Sequence, residues 1–181
     1  IAGLRIRRQQ ALSQQHIASQ IIRLHVIANS DETADQTLKK EVKDQVVTYL
    51  RSKMNQAATI QAARQVICQE MDALKQIAEK KIRQKGYDYP VTVSLGTTYF
   101  PVKEYGDMAF PAGDYEALRV QIGESKGRNW WCVMYPSLCL VDGVYQTVPE
   151  SSKDKLKQVL STSEYQSLVD GGEDVQFRLR F

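Results

Sequence analysis

A chain of 181 residues is long enough to bury a core of ordinary size, so a stapled mini-protein is not required. Hydrophobic residues make up 43% and charged residues 25% of the sequence, which is the composition of a globular protein and not of a disordered one. The formal net charge is only +3 with both signs interspersed, so no nucleic-acid partner is expected.

The first segment, residues 1–20, has the composition of a polar helical arm. It is rich in Gln and Arg, and Leu4, Leu12 and Ile17 form a sparse apolar side. The chain begins with Ile and contains no run near the ~20 apolar residues of a membrane-spanning helix. We therefore expect that a signal or anchor segment has been removed, and that it was the only link to a membrane.

A strand is predicted over residues 21–28, where apolar residues alternate with Arg23 and His25. This period of two places both polar side chains on the face opposite the core. Asn29, Ser30 and Asp31 follow, and their side-chain oxygens are typical of the start of a helix, which we expect to reach about residue 54.

The remaining pattern predicts an α+β fold. Two long helices would form a hairpin that covers one face of a largely antiparallel sheet, giving a two-layer sandwich. The whole of 21–181 is expected to be one domain that follows the arm. The other predicted elements are a helix over 59–85, strands over 91–100 and 115–122, irregular chain over 123–139, short helices over 151–158 and 162–169, and a final strand through Val175, Phe177, Leu179 and Phe181.

The cysteines suggest one disulfide. Cys68 lies within an apolar helical stretch and is expected to be a buried thiol. Cys132 and Cys139 flank a short segment with Pro136, and a loop of this length can close. The bridge would contribute roughly 2–2.5 kcal/mol and would form only in an oxidising compartment.

Two groups of residues are candidates for function. The polar residues from Arg23 to Asp31 can be helix caps and surface charges, a surface for a partner, or an acid–base site built on His25 and Asp31. Adjacent Trp130 and Trp131 cannot both point inward from a regular strand, so one is either a surface anchor or part of the core edge. No metal or cofactor motif is present. The candidate partner-binding residues are Arg23, His25, Asn29, Ser30, Asp31, Trp130 and Trp131.

Several stretches resemble the stage II sporulation protein R family of endospore-forming bacteria, over about residues 21–142. The resemblance leads us to expect glycine at Ser125 and proline at Ser137. The matching stretches are residues 22–31, 35–36, 38–39, 110–113, 115–120, 122–123 and 129–139.

The resemblance implies a non-enzymatic signalling protein, exported from the forespore into the intermembrane space of the sporulating cell. There it would activate a membrane-embedded aspartic protease of the mother-cell membrane, which processes the precursor of a mother-cell sigma factor. The alternatives are a cell-wall or peptide hydrolase that uses His25 and Asp31, and a septal scaffold that activates nothing.

Overall fold

The computed structural model describes residues 2–139 and 147–178, in which six helices and six strands are formed. Their bounds are α1 Ala2–Ser19, β1 Ile22–Ile27, α2 Thr33–Met54, α3 Ile60–Gln69, α4 Met71–Gln84, β2 Val91–Phe100, β3 Lys103–Tyr105, β4 Met108–Phe110, β5 Gly113–Ile122, β6 Asn129–Tyr135, α5 Glu150–Val159 and α6 Thr162–Arg178.

The main sheet has four strands in the order β2-β5-β1-β6. β1 pairs with β5 in parallel and with β6 antiparallel, and the register places His25 between Arg119 and Trp131. β3 and β4 form a separate antiparallel ribbon. The α+β class and the mostly antiparallel sheet are confirmed.

The helical layer differs from the prediction in one respect. α2 is followed by two helices, because the helix predicted over 59–85 is broken at Glu70. The Glu70 carboxylate accepts a short hydrogen bond from the Tyr49 hydroxyl and lies 3.5 Å from Lys53 Nζ, so both contacts join the break to α2. The break involves one residue, and the Glu70 backbone still donates to the Val66 and Ile67 carbonyl oxygens and accepts from Leu74 N.

Two elements were predicted wrongly. Residues 129–135 form β6, although their nearly continuous apolar run shows no alternation. The predicted final strand is wrong over 175–178, where α6 continues, while residues 179–181 lie outside the described residues. A Cβ on Gly171 of α6 would lie 3.2 Å from Ala109 Cβ, so this glycine allows α6 to pack closely on β4.

The predicted polar face of β1 is also wrong. All six residues of the strand are buried, including Arg23 and His25, which are 0% and 5% exposed. β1 lies between β5 and β6, and both of its faces are covered. The alternation in the sequence therefore marks two buried faces of different chemistry.

The contacts of the chain divide it into two units. One comprises residues 22–96 and 117–141, and the other comprises residues 1–21, 97–116 and 142–181. In the second unit His16 of α1 lies 2.9 Å from the Glu164 carboxylate of α6. Within the described ranges, no helix combines the length and apolar character needed to cross a bilayer. A single domain over 21–181 stays a prediction.

Candidate functional site

The end of β1 is hydrogen-bonded to the loop between β5 and β6. We call Asn29, Ser30 and Asp31 the polar corner, and residues 123–128 the corner loop. Four loop amides donate to the chain at this corner. They are Glu124 N to Asn29 Oδ1 (2.9 Å), Lys126 N to Asn29 O (3.1 Å), Gly127 N to Ala28 O (3.0 Å) and Arg128 N to Asp31 Oδ1 (2.7 Å).

The glycines of the corner loop allow this close approach. Gly123 has a φ of 56°, and a Cβ there would lie 2.2 Å from Asn29 Oδ1. A Cβ on Gly127 would lie 2.1 Å from the Ser30 carbonyl oxygen. Ser125 has a φ of 55°, a left-handed conformation that favours glycine, which is the residue expected there from the family resemblance. The close contacts at Gly123 and Gly127 therefore leave no room for a side chain at either position.

Asp35, in the first turn of α2, is hydrogen-bonded to two residues of the polar corner. Its Oδ2 accepts hydrogen bonds from Asn29 Nδ2 at 2.8 Å and from Ser30 Oγ at 2.6 Å. Burial raises the pKa of this carboxyl, but hydrogen bonds from Ser30, Asn29 and Tyr89 outweigh burial and hold the pKa below its ordinary value. Asp35 is therefore a buried carboxylate with a structural role.

Lys39, one turn further along α2, connects the helix to the corner loop. Its side chain is buried, and Nζ donates to the Arg128 carbonyl oxygen at 2.9 Å and to Gln36 Oε1 at 2.7 Å. Desolvation by burial, together with the nearby Lys40 and Arg128 charges, lowers the pKa of Lys39, although Asp31 opposes this. Sequence reasoning overlooked Asp35 and Lys39, whose one signal was their place in the family-like stretches.

The outer side of the corner carries charged side chains that remain in solvent. Asp31 and Arg128 form an ion pair at 3.5 Å, with 63% and 76% of their side chains exposed. Glu124 and Lys126 form a second exposed pair at 2.5 Å. A backbone fixed by hydrogen bonds therefore displays both signs of charge to solvent at one place.

His25 occupies a different environment from the exposed corner. Its ring stacks on the Trp131 indole, with centroids 4.1 Å apart and planes 9° apart. Burial lowers the pKa of His25 and the Arg119 charge acts in the same direction, against a hydrogen bond that the ring donates to the Asn129 side chain. Because Asp31 is exposed and bonds to Arg128, the structure does not present these two residues as an open acid–base pair.

The two tryptophans are both half-buried. Trp131 faces His25, whereas Trp130 is paired with Val26 in the register and lies under the buried Lys43 Nζ at 4.6 Å from its ring centroid. The two tryptophan rings have different partners, which agrees with the prediction that adjacent tryptophans on a strand point in different directions. The binding roles proposed for the candidate residues stay predictions.

The predicted disulfide between Cys132 and Cys139 is present, with its Cα atoms 5.4 Å apart. It closes the chain after β6, where Leu138 N and Cys139 N donate to the Val133 carbonyl oxygen at 2.9 and 3.0 Å. Arg51 of α2 donates to the Cys139 carbonyl oxygen at 3.0 Å. The expectation that Cys68 is buried is wrong, because this thiol is exposed on α3.

Comparison with known proteins identifies the family. A family model described as stage II sporulation protein R matches residues 18–145. The chain belongs to the stage II sporulation protein R family. The polar corner, the corner loop, the tryptophans and the disulfide all lie within the matched range.

One relative gives the extent of the match. The stage II sporulation protein R of Bacillus subtilis (strain 168) is 36% identical to the chain over 139 residues, which is 77% of this chain and 62% of that protein. The chain therefore spans less than two thirds of the length of this relative. No solved structure matches the chain. Among the residues that the structure describes, no group of three or more His, Cys, Asp or Glu side chains is placed to hold a metal ion.

Proposed function

We propose that this member of the stage II sporulation protein R family is an exported ligand that activates a membrane-embedded aspartic protease of the mother cell. It acts in the intermembrane space after export from the forespore, and the protease then processes a sigma-factor precursor. Membership of a sporulation signalling family supports the role, and the Cys132–Cys139 bridge is compatible with an oxidising compartment.

The observation that carries the proposal is the exposed charge on the hydrogen-bonded corner loop. Asp31, Glu124, Lys126 and Arg128 are displayed on a backbone held by amide hydrogen bonds. Such a surface loses little conformational entropy on binding, because the loop is already ordered. Of the residues first suggested for partner binding, Asp31 is exposed and Asn29, Ser30 and the two tryptophans are half-buried, whereas Arg23 and His25 are buried.

Activation requires that the ligand bind the active protease more tightly than the inactive one. Each tenfold shift in the population of the active state requires about 1.4 kcal/mol of differential binding. A single charge-assisted contact to the corner loop, at about 1.5–3 kcal/mol, is sufficient for one to two such steps. No bond is made or broken by the ligand itself in this mechanism.

The hydrolase alternative has less support. A general acid–base pair must lie within hydrogen-bond reach of one substrate. His25 is buried against Trp131, whereas Asp31 is exposed at the corner and accepts the Arg128 amide proton. A scaffold that only assembles other proteins would use the same exposed surface, so activity of the protease must be measured directly.

The test uses membranes that contain the protease and its sigma-factor precursor, to which the purified chain is added. Arg128→Ala should lower precursor cleavage at least about tenfold, since ~1.4 kcal/mol of binding is lost. The Arg128 backbone bonds to Asp31 and Lys39 are retained in this variant. Arg83→Ala is the matched control, because Arg83 is a similarly exposed arginine on α4.

Three outcomes would contradict the proposal. Unchanged cleavage with Arg128→Ala removes the corner loop as the binding surface. Binding without any increase in cleavage identifies a scaffold. Precursor cleavage in membranes whose protease lacks its catalytic aspartates would assign the chemistry to this chain and support the hydrolase alternative.

A further inference from the structure

β2 is an edge strand whose own residues lack two usual protections of edges, and its two end residues, Val91 and Phe100, are buried. It is the outermost strand of the main sheet, and its ten residues contain no charge and no proline. Thr92, Gly96, Thr97 and Tyr99 are exposed. Edge strands of soluble proteins ordinarily carry charged residues, prolines or a covering segment, because their free N–H and C=O groups pair readily with another strand.

The opposite edge of the same sheet is formed by β6, which the following segment of the chain covers in part. β6 is shorter, and its last four residues are buried. The disulfide-closed segment folds back on it, and two of its amides occupy the Val133 carbonyl oxygen. The contrast indicates that the open edge of β2 is a specific property of β2 and not of the sheet as a whole.

The flanks of β2 are symmetric about its centre. Pro90 precedes the first residue of the strand and Pro101 follows its last residue. The first charged residue before the strand is Asp88, and the first one after it is Lys103, at equal distances from the strand ends. When two copies of β2 are placed antiparallel with full overlap, the acid of one copy is at the same end as the base of the other.

We propose that a second copy of this chain pairs with β2 in this antiparallel register, about a two-fold axis between Leu95 and Gly96. The register sets Thr92 opposite the second copy's Tyr99 and Val93 opposite its Thr98. β-branched and aromatic residues in such cross-strand pairs stabilise a sheet. The pairing is isologous and closed, as in most soluble dimers.

The contact is small, so the dimer is weak. A ten-residue strand is about 33 Å long and its edge about 10 Å wide, which gives about 330 Å² for each copy. The total of about 660 Å² is below the ~1,200 Å² of stable interfaces. Association should therefore depend on protein concentration and should not be permanent.

The test is sedimentation analysis of the full chain over a wide concentration range. It compares two double variants that differ only at residue 99. Thr92→Lys with Tyr99→Lys places like charges directly opposite each other in the proposed register, and Thr92→Lys with Tyr99→Glu places opposite charges there. Gln45→Lys with Thr48→Lys, on the exposed side of α2, adds the same charge away from β2. Circular dichroism establishes that every variant is folded.

The native chain, the Lys/Glu variant and the α2 control should rise with concentration from 20.6 kDa toward twice that mass, while the Lys/Lys variant should stay at 20.6 kDa. A native chain that is monomeric throughout overturns the proposal, even if β2 variants impair sporulation, because the edge then serves another protein. Equal dimerisation of the Lys/Lys and Lys/Glu variants overturns it as well, because the interface then lies elsewhere.

Discussion

Replacing Asp35 by asparagine tests whether the hydrogen bonds that Asp35 accepts from Asn29 and Ser30 stabilise the polar corner. The Asp35 Oδ2 atom accepts two side-chain hydrogen bonds, from Asn29 and from Ser30. A hydrogen bond to a charged group contributes about 1.5–3 kcal/mol. Asparagine keeps one acceptor oxygen but loses the charge, so Asp35→Asn should lower the free energy of unfolding by about 2–3 kcal/mol.

The same change should alter the pH dependence of stability. The folded pKa of Asp35 lies below its ordinary value of 3.8, so at acid pH the unfolded chain binds the proton more readily than the folded one. The stabilisation is complete above the ordinary value and is lost as the pH falls through the folded value. Asp35→Asn should therefore lose less stability on acidification than the native chain does.

Guanidinium unfolding at neutral and at acid pH measures both effects. Asp72→Asn is the control, because Asp72 also occupies the first turn of a helix but is exposed. Asp72 lies at the same place relative to its helix dipole as Asp35 does, but it does not accept the two buried hydrogen bonds that Asp35 accepts. The reasoning is refuted if the two variants lose equal stability, or if Asp35→Asn keeps the full acid dependence of the native chain.

Two further predictions concern the same unit. Replacing Cys132 and Cys139 by serine should lower the free energy of unfolding by about 2.5 kcal/mol, the loop-closure value for so short a loop, with native protein in reductant as the comparison. Ser125→Gly should raise it by about 0.5–1 kcal/mol, because relief of the left-handed serine exceeds the entropy cost of glycine; a lower stability would contradict this.

Alternation in the sequence located three of the six described strands and gave a false one over 175–178, and it did not show that both faces of β1 are buried. The predicted strands over 21–28, 91–100 and 115–122 correspond to β1, β2 and β5. Burial of Arg23 and His25 depends on neighbours that are distant in the chain: the register sets His25 beside Arg119 of β5 and Trp131 of β6, and the Trp131 ring stacks on it. A single sequence carries no signal for strand order of this kind.

The candidate site was predicted in part. Asn29, Ser30 and Asp31 were selected for their capping side chains, yet Asn29 and Asp31 accept amides of the corner loop, and Asn29 and Ser30 donate to Asp35. Polar residues beside a glycine-containing loop do not reveal their partners until the sheet is assembled. The disulfide was predictable because its two cysteines are close in sequence, so local geometry alone decides whether it can close.

Lys39 provides a direct test that the corner loop is fixed by α2. The buried ammonium group donates to the Arg128 carbonyl oxygen, and Lys39→Met removes this bond while keeping a side chain of similar length. Exchange of the loop amides should become about tenfold faster or more, since ~1.5–3 kcal/mol of local stability is lost.

Hydrogen exchange of the amides in 123–128 measures this effect. Lys43→Met is the matched control, since Lys43 is also a buried lysine on α2 but lies over the Trp130 ring. If Lys39→Met leaves the loop amides as protected as Lys43→Met does, the loop is held by the polar corner alone. The charged surface proposed to bind the protease would then be ordered without help from Lys39, and Lys39→Met should leave activation unchanged.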